Sequence, residues 1–420
     1  MRIVYTVLLY LLTPFVLLRL LWRSRELADY RHRIGERFGF VPSPAQPVAV
    51  WVHAVSVGES LAALPLIRAL IERHGKGRVL VTTTTPTGSA RVREALGDQV
   101  VHVYAPYDLP DVVARFLGRM RPQRVVVMET ELWPNLFRAL ARRRVPLIIA
   151  NARLSPRSFK GYGRVRGFAA ATLADCTHVA AQSDADAQRF RDLGAPAARV
   201  STMGNIKFDQ AVPDAQIAAG RTLREGLGAQ RAVWVAASTH EGEEEAVLAA
   251  HRQLLASRPD ALLILVPRHP QRFDAVARLI EKSGVSHARR SQLTTTADAG
   301  ATVSVLLGDS MGEMFMYFAA ADVAFVGGSL VPVGGHNVLE PAQLAKPVLF
   351  GPHMHNFIAA RDLLLEAGGG QQTDADGLAA AVSALLADGE RREAMGRAGQ
   401  AAVAANRGAR DRLLALIEAI

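Results

Sequence analysis

The sequence predicts an α/β protein with two domains, each built on a parallel β-sheet, behind an apolar helix at the amino terminus. Three observations carry this prediction. Apolar, β-branched runs alternate with segments of helical periodicity through both halves, 420 residues suffice for two such domains, and residues 3–18 are nearly uninterrupted apolar residues. Alternation of strand and helix implies parallel sheets with right-handed crossovers, so both domains are expected to be Rossmann-like.

The composition is that of a globular protein with a positive charge. Half of the residues are apolar, and 49 Lys and Arg exceed 39 Asp and Glu, for a net charge of +10. This excess favours anionic partners such as phosphorylated sugars or lipid headgroups. The cations are scattered arginines without interleaved aromatic residues, so no nucleic-acid partner is expected. The single cysteine, Cys176, excludes an internal disulfide framework and is expected to be a packing residue.

Residues 1–22 are predicted to form a membrane anchor. Six arginines follow the apolar run between positions 19 and 37, and no small-residue cleavage site of a signal peptide follows it. The run is short for a full span, which takes about 20 residues, and Pro14 is expected to kink it. The helix therefore spans the bilayer or lies in its interface, with the body on the cytoplasmic side. A buried core helix is the alternative, but such a helix seldom precedes six arginines.

The first domain is predicted over residues 35–210 and the second over 225–420, with the polar segment 205–229 as the connection. Strands are expected at the apolar runs 48–52, 79–84, 100–105, 124–128, 146–150, 179–182, 200–204, 233–237, 262–266, 306–307 and 323–326. Alanine-rich helices are expected to close the chain.

Glu59 is the candidate catalytic carboxylate of the first domain. It lies in Trp51-Val-His-Ala-Val-Ser-Val-Gly-Glu-Ser60, a turn between the first strand and the first helix. Ligands of open α/β sheets bind at the carboxyl ends of strands, where such turns lie. Ser56-x-x-Glu59 also fits a capping box, in which Glu59 accepts a hydrogen bond from the Ser56 amide. The turn by itself leaves both interpretations open.

Two further features of the first domain are candidates for binding. Glu129 and Glu131 follow the fourth strand, and in an extended segment they would point the same way, to hold a cation, accept sugar hydroxyls or act as a base. The basic segment, residues 153–166, is either a solvated helix face or a clamp for phosphate or carboxylate. Its cations are Arg153, Arg157, Lys160, Arg164 and Arg166.

In the second domain, three strand-to-helix turns together predict one nucleotide site. They are Pro267-Arg-His-Pro270, Gly308-Asp-Ser-Met-Gly-Glu313 and Gly334-Gly-His-Asn-Val-Leu-Glu340. Glycines let a backbone approach a ligand closely, and helix amino termini bind anions. Neither glycine cluster matches a dinucleotide or P-loop motif, and Asn337 with Glu340 also fits a capping box. Ser238-Thr-His-Glu241, after an earlier strand, is predicted to be another capping box.

Eight ordered blocks of sequence carry a family resemblance. They are Val55-Ser-Val-Gly-Glu59, Thr85-Pro-Thr-Gly88, Met128-Glu-Thr-Glu-Leu-Trp-Pro-Asn135, Ala150-Asn-Ala-Arg-Leu154, Ser238-Thr-His-Glu-Gly242, Val266-Pro-Arg-His-Pro270, Gly308-Asp-Ser-Met-Gly-Glu313 and Gly334-Gly-His-Asn337. With them, and along nearly its whole length, the chain resembles the bacterial 3-deoxy-D-manno-octulosonate (Kdo) transferases of lipid A biosynthesis.

The resemblance implies a glycosyltransferase of the GT-B fold that uses CMP-Kdo as donor and inverts the anomeric centre. It implies a tetraacyldisaccharide bisphosphate (lipid IVA) acceptor at the bacterial inner membrane, with no metal and no cofactor. The family's general base falls on Glu59. Its donor contacts fall on Pro267, Arg268, Met311, Gly312, Glu313, Asn337, Val338, Leu339 and Glu340. Val338 stands where relatives often have proline, a change that backbone contacts are expected to tolerate.

Two rival functions remain at this point. A nucleotide-sugar epimerase has the same two-domain fold but requires neither an anchor nor a basic acceptor face. A membrane-attached nucleotide-binding scaffold would use Glu59 only as a helix cap. Lipid dependence of turnover separates the transferase from the epimerase, and replacement of Glu59 separates it from the scaffold.

Overall fold

The chain folds as two compact units. The computed structural model describes residues 1–25, 28–55, 57–293 and 303–420. The first unit comprises Met1–Gln210 together with Asn406–Ile420, and the second comprises Ala211–Ala405.

The first unit contains a seven-stranded parallel sheet. Its strands are β1 (Val50–His53), β2 (Val79–Thr83), β3 (Val101–Tyr104), β4 (Arg124–Met128), β5 (Leu147–Ala152), β6 (His178–Ala181) and β7 (Val200–Thr202). They lie in the order β3-β2-β1-β4-β5-β6-β7. The chain starts in the middle of the sheet, runs to one edge and returns to pair β4 with β1. The point at which the strand order reverses, the topological switch point, therefore lies between β1 and β4.

Residues of β1 enter cores on both faces of this sheet. Trp51 packs in a cluster with Leu80 and Phe116, whereas Val50 and Val52 belong to a second cluster. Each strand is thus covered on both sides, which explains why the strands read as continuous apolar runs.

Helices of the first unit alternate with these strands. They are α1 (Arg2–Arg23), α2 (Ile34–Arg37), α3 (Val57–His74), α4 (Pro86–Leu96), α5 (Pro110–Met120), α6 (Pro134–Arg142), α7 (Pro156–Gly163), α8 (Arg166–Leu173) and α9 (Asp184–Leu193). Proline begins α4, α5, α6 and α7, where its missing N–H has no intrahelical partner to lose.

The second unit repeats the architecture. Its strands are β8 (Val233–Thr239), β9 (Leu262–Pro267), β10 (His287–Arg289), β11 (Val305–Leu307), β12 (Val323–Val326), β13 (Val348–Phe350) and β14 (Gly370–Gln372). They lie, all parallel, in the order β10-β11-β9-β8-β12-β13-β14, so the switch point is between β8 and β12. The sequence analysis did not predict β10, β13 and β14, each of which is three residues long.

The first helix of the second unit begins before the predicted start of that domain. The helices of this unit are α10 (Asp214–Leu227), α11 (Glu244–Ser257), α12 (Phe273–Lys282), α13 (Met314–Ala320), α14 (Leu339–Gln343), α15 (Ile358–Glu366), α16 (Leu378–Ala387) and α17 (Gly389–Ala405). Helix α10 lies inside the segment predicted as a polar connection. It buries Leu223 and Leu227 in the core of the second unit, which decides its structure.

The last helix, α18 (Ala409–Ala419), belongs to the first unit. Its Leu413 and Ile417 pack in the first unit's core. At its start, the Asp209 carboxylate accepts hydrogen bonds from the backbone N–H groups of Gly408 and Arg410, both at 2.6 Å. The prediction of one domain over residues 225–420 is therefore wrong for residues 406–420.

Helix α1 is long and apolar enough to cross a membrane, and it is 22 residues long. One side contacts the rest of the first unit through polar bonds: Arg2 to Asp175 at 3.1 Å, and the Tyr5 hydroxyl to Asp108 at 3.0 Å. Large apolar side chains elsewhere on the helix are exposed. They include Ile3, Val4, Val7, Leu8, Leu11, Leu12, Phe15, Leu18, Leu21 and Trp22.

Four buried or half-buried histidines predict that acid destabilises the protein. Burial lowers the pKa of His53 and His251 to about 4, and that of His102 and His336 to about 3. Histidines of the unfolded chain titrate near 6.5, so below that pH the unfolded chain binds more protons. Stability is complete above pH 6.5 and falls by up to about 1.4 kcal/mol per pH unit for each histidine as the pH approaches these values.

We expect the unfolding temperature to fall steadily between pH 6.5 and 4.5 in a calorimetric series. Three carboxyl groups oppose the trend, because burial raises the pKa of Asp108 to about 6 and also raises the pKa of Glu131 and Glu244. In the variant His251→Gln stability should depend less steeply on pH, because about one proton fewer is taken up on unfolding. An unfolding temperature that is constant from pH 7 to 5 would contradict the prediction.

Candidate functional site

The nine predicted donor contacts lie on turns after three strands of the second unit. Pro267 ends β9 and Arg268 follows it, residues 311–313 follow β11, and beyond β12 residues 337–338 precede α14 while residues 339–340 begin it. Parallel strands open their carboxyl ends at the same edge of a sheet, which is where ligands of such sheets bind. The structure therefore brings all three predicted segments to one edge, on both sides of the switch point.

Side chains in these segments differ in what they can offer a ligand. Arg268 and Met311 are exposed, whereas Val338 and Leu339 are buried and present only backbone. Asn337 lies one residue before the N-cap of α14; its Oδ1 accepts the Leu339 N–H at 3.1 Å while its Nδ2 donates to Glu340 Oε1 at 3.0 Å. The carboxylate of Glu340 therefore meets the side chain of Asn337.

Glu313 is held by a polar cluster. Its carboxylate accepts hydrogen bonds from Arg290 Nη2 at 3.0 Å and from the Tyr317 hydroxyl at 3.2 Å, and it contacts the Ser310 hydroxyl. Gly312, one residue earlier, has φ of +80°, a conformation that favours glycine. The turn after β11 is thus fixed in place before any ligand binds.

Sequence reasoning missed Glu243, which connects the turns on both sides of the switch point. Its buried carboxylate accepts four backbone N–H groups, those of His240 (2.9 Å), Gly328 (2.6 Å), Ser329 (2.9 Å) and Leu330 (2.8 Å). The predicted capping box at 238–241 is wrong, because α11 begins only at Glu244. Glu243 begins a run of three glutamates, and Glu244 is buried as well, so only the four backbone N–H groups that it binds distinguish Glu243.

Three histidines surround the same edge. His240, His269 and His336 follow β8, β9 and β12, which are neighbours in the sheet. The Nε2 atoms of His240 and His336 are 2.8 Å apart, and the ring of His269 stands edge-on to that of His240 at 5.1 Å between centroids. The sequence pointed to the Arg268-His269 pair, but not to its proximity to the other two rings.

In the first unit, Glu59 lies beside the switch point. It is in the first turn of α3, which follows β1, and its half-buried carboxylate accepts the Val55 N–H at 2.7 Å. The predicted bond to the Ser56 amide involves a residue that lies outside the described part of the chain. Glu59 thus combines a backbone bond with a position at which a ligand of this fold is expected.

Glu129 and Glu131, on the other side of that switch point, are not in an extended segment as predicted. Glu129 has φ of +58° and lies 3.4 Å from Lys207 Nζ. Glu131 accepts a hydrogen bond from Trp133 Nε1 at 3.0 Å, and burial, with the nearby charge of Glu129, raises its pKa. The two carboxylates therefore have different partners and different environments.

Lys207 was missed because it lies in the segment predicted as a connection. Asn205 begins that turn, and the backbone N–H of Ile206 donates to Asn151 Oδ1 at 3.1 Å. Asn151 has φ of +52°, close to the +58° of Glu129. A positive φ strains the backbone of a non-glycine residue, and such strain clusters at functional sites. Lys207, Glu129 and Asn151 thus extend the candidate site beyond Glu59.

The basic segment is exposed on α7 and the turn after it. Arg157, Lys160 and Arg164 are solvent-exposed, and no ion pair joins them to a carboxylate within the described residues. Positions 157, 160 and 164 recur at helical spacing, which places these cations on one side. The arrangement is compatible with a solvated helix face and with a site that binds an anion.

Two parallel seven-stranded sheets, each with polar turns at its switch point, place the chain in the GT-B fold class. A solved UDP-GlcNAc 2-epimerase from Neisseria meningitidis shares this fold. It is 14% identical, with a TM-score of 0.58 over 89% of this chain and 100% of its own. At that identity the likeness concerns the fold alone.

Sequence likeness decides the family. Residues 32–210 match the family described as 3-deoxy-D-manno-octulosonic-acid transferase (kdotransferase). The 3-deoxy-D-manno-octulosonic acid transferase of Haemophilus influenzae is 42% identical over 99% of this chain and 98% of its own, and that of Bordetella pertussis is 40% identical over 99% of both. The chain belongs to the 3-deoxy-D-manno-octulosonic acid transferase family and is a glycosyltransferase, which excludes the epimerase alternative.

Proposed function

We propose that this enzyme transfers Kdo from CMP-Kdo to the lipid A precursor lipid IVA with inversion, releasing CMP. The observation that carries the proposal is the family membership over the full length, together with a carboxylate at one switch point and a cationic, glycine-rich edge at the other. A GT-B transferase uses one such edge for the nucleotide donor and the other for the acceptor.

The second unit is proposed to bind the donor. Arg268 is exposed at the carboxyl end of β9 and can pair with the phosphate of CMP, since the guanidinium offers paired hydrogen bonds. Gly312 and the buried Val338 and Leu339 can contribute backbone groups, while Glu313 and Glu340 carry acceptors for ribose hydroxyls. No nucleotide-bound metal is required in this proposal.

Glu59 is proposed as the general base. The acceptor oxygen attacks the anomeric carbon of Kdo. The bond between that carbon and the phosphate oxygen breaks, and CMP leaves with the electron pair. The acceptor hydroxyl proton goes to the Glu59 carboxylate. Since CMP is a good leaving group, the protein must chiefly supply this base and hold both substrates.

Release of CMP tests the reaction directly. We expect purified enzyme to release CMP from CMP-Kdo in the presence of lipid IVA and much more slowly without it, and to give a product heavier by the Kdo residue in mass spectrometry. Release that is independent of the lipid, or no release at all, would overturn the proposed acceptor or the proposed reaction respectively.

We further propose that α1 holds the enzyme on the cytoplasmic face of the inner membrane. Its polar bonds to Asp175 and Asp108 fix residues 2–5 beside the rest of the first unit, while its apolar side chains face outward. A helix that crossed the bilayer with these contacts intact would draw carboxylates into the hydrocarbon, which is strongly unfavourable. The contacts therefore favour a helix lying in the interface.

The double variant Leu11→Asp/Phe15→Asp should lose liposome binding by about 100-fold or more. Each side chain contributes on the order of 1.5–3 kcal/mol when buried, and charges oppose insertion. Flotation with anionic liposomes measures the effect. The control Tyr10→Phe removes only a hydroxyl that contacts Asp111 and should float like the native protein. Equal flotation of all three proteins would contradict the proposed anchor.

The basic segment is proposed to bind the acceptor's phosphates. It is connected to α1 through α8, because the ring of Phe168 on α8 contacts that of Tyr5 at 5.5 Å. An acceptor whose acyl chains remain in the membrane beside α1 would present its phosphates to nearby cations such as Arg157, Lys160 and Arg164.

Reversing these three charges to glutamate should raise the KM for lipid IVA by about 10-fold or more, because each cation near an anionic surface contributes roughly 1 kcal/mol. The KM for CMP-Kdo should stay the same. Arg93→Glu, an exposed cation on α4 outside the segment, serves as the control. Unchanged kinetics in the triple variant would show that the segment is only a solvated helix face.

A further inference from the structure

His240 and His336 form a pair across the switch point of the second unit. His240 follows β8 and His336 lies in the loop after β12, and these two strands are hydrogen-bonded neighbours. Their ring planes are 9° apart with centroids at 5.0 Å, and their Nε2 atoms are 2.8 Å apart. A hydrogen bond between two imidazole nitrogens needs one proton, donated by one ring and accepted by the other.

The turn between these rings is built to let them meet. Gly328 has φ of +66°, and a Cβ there would lie 2.8 Å from His336 Cδ2 and 2.9 Å from its Nε2. The backbone N–H of the same glycine is bound by Glu243, which also binds that of His240. The buried carboxylate of Glu243 therefore fixes the backbone at both His240 and Gly328, the two residues that position the pair.

The surroundings keep the pair uncharged. The cations Arg268 and Arg272 and the imidazole of His269 face it from the β9 side, and each ring of the pair faces the other. Glu243 is the acid nearby, but its carboxylate already accepts four backbone N–H groups. Burial, the facing ring of His240 and the charge of Arg268 lower the pKa of His336 to about 3, and burial is also the main cause that lowers the pKa of His240. Both rings are nevertheless partly exposed, so a ligand at this edge can reach them.

We propose that the His240–His336 pair is the anion-recognition element of the donor site and that it gains a proton when an anionic group of the donor binds beside Arg268. The inference rests on the proposed function, because it takes CMP-Kdo as the ligand. That donor carries two adjacent anions, the phosphate and the carboxylate of the sugar acid. Either would compensate the cations around the pair and stabilise a positively charged imidazole, which can then donate to the anion.

Calorimetric titration in buffers of different ionisation enthalpy counts the protons taken up. The ligands are CMP and, without lipid acceptor, intact CMP-Kdo. A pH of 7.5 is suitable because it lies above the second pKa of a phosphate monoester, about 6. We expect the native protein to take up close to one proton per ligand. His240→Gln and His336→Asn should take up none and bind about 10-fold to 100-fold more weakly. His287→Gln, on β10, is the control and should match the native protein.

The outcomes separate the pair from the donor assignment. Uptake with CMP assigns the phosphate, and uptake only with CMP-Kdo assigns the carboxylate; both support the proposal. Binding of both ligands without proton uptake, or uptake that persists in both folded variants, overturns the role of the pair and leaves the donor assignment intact. Failure of the native protein to bind either ligand overturns both. Unfolding temperatures of the variants show that any loss is not a loss of fold.

Discussion

Replacing Glu59 with glutamine is expected to lower lipid-dependent release of CMP by 10²- to 10⁴-fold, the contribution of about one positioned base. Glutamine keeps the size of the side chain and an oxygen that can accept the Val55 N–H, so the turn before α3 should persist. The loss should appear in kcat, with little change in the KM for CMP-Kdo, because the donor is proposed to bind to the second unit.

Glu72→Gln is the matched control, since Glu72 lies on the same helix and is exposed. It should retain native turnover. If Glu59→Gln keeps native turnover while its unfolding temperature is unchanged, the transferase assignment stands and Glu59 is only a helix cap. If the native protein itself releases no CMP, the result favours the nucleotide-binding scaffold over the proposed transferase reaction.

Replacing Glu243 with alanine should destabilise the second unit by about 3–5 kcal/mol, a size typical of breaking a buried, charged hydrogen-bond network. Four backbone N–H groups would lose their acceptor, and the turns after β8 and β12 would lose their connection. We expect a lower unfolding temperature, and hydrogen exchange at the amides of Gly328, Ser329 and Leu330 should become much faster. Binding of CMP should be lost in parallel.

The control is Glu245→Ala, two residues further along and exposed on α11, which should change stability by less than about 0.5 kcal/mol. Slow exchange of residues 328–330 in Glu243→Ala would show that other bonds hold the turn. Glu243→Gln tests the charge separately: its oxygen can still accept, but its amide group faces N–H donors, so an intermediate loss is expected.

Glu59, the proposed base, and Glu243, which holds the turns of the second unit, differ in how far the local sequence indicates them. Glu59 stands beside a glycine between a strand and a helix, a position that local pattern marks as a site, and the structure places it beside the switch point. Glu243 stands in a run of acids at a helix start, where local pattern favours a solvated residue. Three of its four partners are 85 to 87 residues away along the chain, so no local rule reaches them.

The sequence by itself determined the alternation of strands and helices, because periodicity and capping act within a few residues. It also determined the family and indicated the three turns that are proposed to bind the donor, because these are contiguous motifs. Only the tertiary structure decided that α18 packs with the first unit, that Glu129 adopts a left-handed conformation beside Lys207, and that two histidines 96 residues apart meet at 2.8 Å. Such features depend on which strands become neighbours, and strand order is set by the burial of both faces of a whole sheet rather than by any short segment.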